Sequence, residues 1–184
     1  MKKYLIALAA ATMLGSPALA EFRAEVHGGV DNLSVEGEDE TGLAYGIALG
    51  YDYYSEESRS FGGVEINADL SSIEQCESDV VFVGDRVCAE VDRDFSIVAR
   101  GGIKPSPTSA IYALVGYTNM RLTASIDDGT TKVSDGVNLD GIRAGVGYEQ
   151  EFSGGLYGKI EYRYSNYEDD FSRHQGIVGV GIKF

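Results

Sequence analysis

The chain ends in "GIVGVGIKF", in which Val178, Val180, Ile182 and Phe184 stand on one side and Ile177, Gly179, Gly181 and Lys183 on the other. A repeat of two defines a β-strand between unlike environments; on a helix the same spacing would scatter the bulky residues around the axis. The pattern recurs along the chain. It predicts eight strands, over residues 22–35, 42–54, 61–73, 94–104, 110–126, 138–152, 156–167 and 175–184. Several match or exceed the roughly 9–11 residues with which a tilted strand crosses a bilayer.

The connections alternate as well. "SEESRS", "PSPTS" and "SGG" are compact, whereas "EGEDET", the segment from Glu74 to Arg93, "DDGTTKVSDGV" and "EDDFSRH" are longer and more acidic. Short turns at one end and long loops at the other predict an all-β fold: an eight-stranded antiparallel up-and-down transmembrane β-barrel with short periplasmic turns and longer extracellular loops.

Three features set which face points outward. The less bulky face is rich in small residues, such as Ala44, Gly46, Ala48, Gly50, Gly145 and Gly147, which suit a crowded narrow interior. That face carries both signs of charge: Glu25, Glu65, Glu149 and Glu161 against Arg100, Arg143, Lys159 and Arg163. Such groups offset their desolvation by pairing. The bulky face is expected to carry aromatics at both borders, with Tyr51, Tyr53, Phe61, Tyr148, Phe152 and Phe184 near the turns and Phe95, Tyr162 and Tyr164 near the loops. Rings at the edges of an apolar band mark membrane interfaces. The bulky face is therefore expected to touch lipid.

The first twenty residues, "MKKYLIALAAATMLGSPALA", have two lysines, an apolar run and a small-residue end. This is the layout of a secretory signal peptide, with cleavage expected between Ala20 and Glu21, so that residues 21–184 form one outer-membrane barrel domain. The formal charge of −14 excludes nucleic acid as a natural partner, because phosphates repel such a surface.

A signal peptide, eight strands and a terminal aromatic ring together resemble the small outer-membrane β-barrel family, the porin-opacity group that includes the OmpA transmembrane domain. In that family the last strand is read by the barrel-assembly machinery as a polar residue, a glycine, a hydrophobic residue and a terminal aromatic. Gly179, Ile182 and Phe184 fall on this pattern, while Ile177 stands where a polar residue is usual. The resemblance implies a surface or structural protein of a Gram-negative envelope, embedded among outer-membrane lipid and lipopolysaccharide. A narrow gated pore is the alternative.

Few residues invite chemistry. Cys76 and Cys88 are the only cysteines, both in the second long loop, and export to an oxidising compartment predicts a disulfide. Two cysteines and two histidines lack zinc-ligand spacing, and the acidic loops lack a calcium-loop pattern. Those loops are candidates for an extracellular partner. His27 is expected as an interior hydrogen-bonding group. Ser172 and His174 share a strand face in "DDFSRHQG", which keeps a lipid-modifying enzyme as a third reading. No catalytic, cofactor or metal site is expected, and the chain is read as a non-enzyme.

Overall fold

The computed structural model describes residues 20–35, 38–55, 57–78, 86–127, 132–168 and 171–184. The expected signal segment lies outside them, apart from Ala20, which opens the first strand. The strands are β1 (Ala20–Val35), β2 (Glu38–Ser55), β3 (Ser60–Ser71), β4 (Glu74–Ser78), β5 (Arg86–Ser106), β6 (Ser109–Asp127), β7 (Lys132–Glu151), β8 (Leu156–Tyr167) and β9 (Ser172–Lys183). All pairings are antiparallel. Because β3 pairs with β5 and β1 with both β2 and β9, eight strands close into a ring, and β4 attaches to β5 alone. Closure leaves the barrel wall without an open edge, the condition a sheet must meet in hydrocarbon.

The alternation becomes an inside and an outside. Val26 on β1 lies opposite Ile47 on β2 and Val180 on β9, and all three are exposed. The next residue, His27, lies opposite Gly46 and Gly179 and is buried. Val26, Ile142 and Val178 each expose more than 60% of their surface (63, 66 and 62%). Apolar exposure of this kind, repeated around the ring, exceeds any patch a water-soluble monomer tolerates. It suits a lipid solvent.

One ring departs from expectation. Phe61 shares its face with Glu65 and is buried inside the barrel, so it does not belong to the outer girdle. Its parity follows Gly63 and Glu65, not Val64 and Ile66. The outer border at the turn end is marked instead by Phe22, which packs 4.9 Å from the Tyr51 ring and stacks on Phe184 at 6.2 Å. The turn before β8 relies on Gly154 and Gly155, whose φ values of 68° and 78° lie in the left-handed region that suits glycine.

The second difference concerns the segment from Glu74 to Arg93, expected as a loop. Here β4 and the start of β5 form a paired hairpin, and the upper parts of β6 and β7 continue beside it, Ile126 opposite Val133. These strands rise past the end of β8, whose pairing with β7 begins at Gly141 and Tyr167. The rim is tall on one side. In this segment the apolar residues bunch into the run Val80 to Val83 and acids interrupt the rest, so no clean alternation marked a ladder made by backbone groups seeking partners.

Candidate functional site

The lumen is filled by one ion-pair network running the height of the ring. Near the loop end, the Arg173 guanidinium donates to Asp31 (Nη2–Oδ2 2.5 Å, Nε–Oδ1 2.7 Å) and to Asp94 (Nη1–Oδ2 2.7 Å). Arg143 donates to Asp94 (2.5 Å), Asp69 (3.2 Å), Ser96 (3.0 Å) and Ser165 (2.9 Å). Tyr167 and Thr118 add hydroxyl donors to Asp94 at 2.7 and 2.6 Å. At mid-height Arg163 bridges Asp69 (3.2 Å) and Glu161, and His27 spans Asp69 (2.6 Å) and Glu25 (3.1 Å). Lys159 meets Glu25 at 2.8 Å and Glu161 at 3.4 Å.

Near the turns, Arg23 pairs with Glu65 and lies 3.4 Å from Asp52. Arg100 approaches Glu149 at 3.1 Å, Asp52 at 3.6 Å and Glu65 at 3.7 Å. Lys183 closes the set on Glu149 at 2.6 Å. The structure thus places all eight candidate lumen residues inside. Among them it pairs Glu25 with Lys159, Glu149 with Arg100 and Glu161 with Arg163 and Lys159; Arg143 turns to Asp69 and Asp94, which sequence reasoning left out. Arg23, Asp31, Asp52 and Arg173 were also missed, although each shares its strand face with a named or small inward residue.

Small residues make this possible. A Cβ added at Gly179 would stand 3.0 Å from the Glu25 carboxylate and 3.2 Å from Lys159, so this glycine of the last strand clears room for an ion pair. Ile182 faces outward on the same strand, and Phe184 exchanges backbone hydrogen bonds with Phe22 (2.9 and 3.0 Å), joining the last residue to the first strand.

Two apolar layers bound the charges. At the loop end Leu33, Ile73, Val91, Met120, Leu139 and Tyr167 pack together, with Val35, Leu122 and Phe171 above them. At the turn end Phe61, Val98, Ala110, Tyr112 and Leu114 do the same. Arg100 lies between, its guanidinium 4.1 Å from the Tyr112 ring centre. Charges paired in such an enclosure interact strongly because little water screens them.

Outside the lumen, Cys76 and Cys88 are bonded across β4 and β5, as directly opposed residues with Cα atoms 4.1 Å apart. In the chain-entropy picture, closing so short a loop stabilises the hairpin by about 3 kcal/mol. Thiol labelling of the denatured, unreduced protein is expected to find no reactive cysteine. Reduction should speed proteolysis of the hairpin while leaving the barrel's unfolding midpoint nearly unchanged, because the hairpin stands clear of the closed ring. Full labelling before reduction would overturn the pairing.

Glu74 with Cys76 and Cys88 is the one donor group of metal-ligating type among the described residues, and its sulfurs are committed to the disulfide. Ser172 and His174 both turn outward, either side of inward-facing Arg173. The partner of the His174 Nδ1 is the Tyr162 hydroxyl at 2.6 Å, with the Tyr164 ring 4.9 Å away, so Ser172 is not drawn into a nucleophile pair.

The sequence matches the family model described as outer membrane protein beta-barrel domain over residues 6–184. No curated protein sequence matches the chain. Among solved structures, it is similar to Ail, the attachment invasion locus protein of Yersinia pestis, in complex with the heparin analogue sucrose octasulfate (TM-score 0.64, 14% identity, covering 90% of this chain and 99% of that one). It is also similar to the N-terminal β-barrel domain of Pseudomonas aeruginosa OprF (0.55, 14%, 89% and 97%) and to Neisserial surface protein A (0.53, 16%, 89% and 97%).

Proposed function

We propose, from the premise that this chain belongs to the outer membrane protein β-barrel domain family, that it is a closed barrel whose work is done by what it displays outside the cell. The observation that carries this reading is the lumen. Its buried ion pairs are stacked between two apolar layers, and an eight-stranded ring leaves no space around them for a water column. The protein serves as an anchored surface element of the envelope, neither a porin nor an enzyme.

The remaining parts fit that role. Residues 1–20 direct export and are removed after Ala20, so the mature chain starts at Glu21 near the turn end. Gly179, Ile182 and Phe184 carry the signal for the barrel-assembly machinery. The outer band meets outer-membrane lipid, with lipopolysaccharide around the loop end. The loop end is acidic, so a polyanion of the kind recorded with Ail is repelled here and a basic partner is favoured.

Planar-bilayer recordings test the closed state. The purified barrel is expected to give no stepwise current at either polarity; a steady unit conductance would establish the gated-pore alternative instead.

A further inference from the structure

The tall side of the rim shelters a cup of about 870 Å³ above the upper apolar layer. That is within the roughly 300–1,000 Å³ of ligand pockets. Its walls are Leu33, Val35, Val91, Leu122, Val137 and Phe171, contributed by the upper parts of β1, β5, β6 and β7 and by the approach to β9. Three carboxylates line it, Glu40, Glu90 and Asp135, and no basic side chain does so among the described residues. Arg121 turns away to the outer face, 3.6 Å from Asp92. The cup is apolar within and negative at its lip.

The wall of the cup is also split. Pairing of β2 with β3 runs out at Ala44 and Ser71, where Ser72 N still donates to Leu43 O at 2.9 Å, so among the described residues β2 beyond Leu43 has a ladder only with β1. Facing it, β4 has a ladder only with β5 among the described residues. Among the described residues the slit between them is bridged by Gln75 Nε2 donating to Glu40 Oε1 at 2.9 Å. Two strand edges with unladdered backbone groups flank an apolar, acid-lipped cavity. Extended peptides bind such edges through their main chain, with alternate side chains supplying specificity.

We propose that the cup and slit form a binding site for an extended basic peptide, with apolar side chains seated against Val91 and Leu122 and Lys or Arg groups on Glu40, Glu90 and Asp135. A polyamine or bare cation would leave the apolar walls unused. A neutral apolar ligand would leave the carboxylates without partners. The inference rests on the surface-display reading, because only an outward-facing cup meets such a peptide.

The test uses the full barrel in nanodiscs of zwitterionic lipid, with empty discs subtracted, and a fluorescent acetylated hexapeptide Lys-Leu-Lys-Phe-Lys-Leu-amide. Saturable binding is expected, at least about tenfold tighter than for Lys-Ser-Lys-Ser-Lys-Ser or Glu-Leu-Glu-Phe-Glu-Leu. Combining Glu90→Gln with Asp135→Asn should weaken it by about fivefold, the scale of two exposed charge pairs. Ala124 lines the cup and is exposed, so Ala124→Trp should fill the space and block binding without moving the unfolding midpoint. Equal binding of the serine peptide, or binding that survives Ala124→Trp, would reduce the site to a plain acidic surface and overturn the proposal. Absence of saturable binding would overturn it too. Both ends of the barrel are open to solution in a nanodisc, so such failures speak against the cup and leave the orientation and closed state to the conductance measurement.

Discussion

Arg173→Met is expected to destabilise the folded barrel by about 3–5 kcal/mol, the cost of stranding a buried charge. Among the described residues Arg173 is the only guanidinium bonded to Asp31, and without it that carboxylate keeps the Ser71 hydroxyl at 2.6 Å. Arg143→Met should cost less, at the lower end of that range. It also removes bonds to two carboxylates, but Asp94 keeps Arg173 and Asp69 keeps Arg163 and His27. Urea unfolding midpoints in phospholipid vesicles, read from the gel mobility of unheated samples, give both values. If the two midpoints match the original protein, water enters the lumen freely enough to solvate Asp31, and the closed reading fails with it.

The second large effect lies on the opposite face of the same strand. Val180 is 54% exposed and stands between Val26 and Gly158 in the lipid-facing band. An arginine there is dragged towards hydrocarbon, at about 2–4 kcal/mol near the midplane and close to nothing at the border. Val180→Arg should therefore lower the midpoint far more than Phe184→Arg. The latter should instead slow assembly in cells, because the terminal ring belongs to the proposed recognition signal. Exchanging Ile182 with Lys183 keeps composition and reverses the pattern, moving the amine away from Glu149 and an aliphatic chain into the lumen. Unimpaired membrane insertion of the exchanged protein would show that this strand is not held by lipid on one side and charge on the other.

The barrel was legible wherever alternation had contrast. On β9, bulky and small residues differ enough to assign every side chain, and the structure keeps that assignment from Ile177 to Phe184. Phe61 was misassigned because an aromatic near a turn suggests an interface, whereas strand parity, set by Glu65 four residues on, put it inside. Asp31, Asp94 and Arg173 escaped notice for a related reason. They sit near or just beyond the ends of the strands expected from sequence, where inward charges run into acidic segments and the polar face loses its outline. The disulfide could be expected from compartment and cysteine count, since pairing two thiols needs no register. The cup could not be. Its walls come from several separate segments, and only closure of the ring and the continued rise of β5, β6 and β7 bring Leu33, Val91 and Phe171 around one space.

The two apolar layers above and below the lumen charges bear on salinity. Mobile ions weaken an electrostatic bond only if they can come within a few ångströms of it; at physiological ionic strength the screening distance is about 8 Å. The paired groups from Arg23 to Arg173 are 7% exposed or less, so ions in the medium stay outside that range of most of them. The cohesion of the barrel is thereby uncoupled from the medium, while the acidic rim stays fully responsive to it. Dilute and brackish surroundings would leave the anchor equally firm and change only how strongly its outer face attracts.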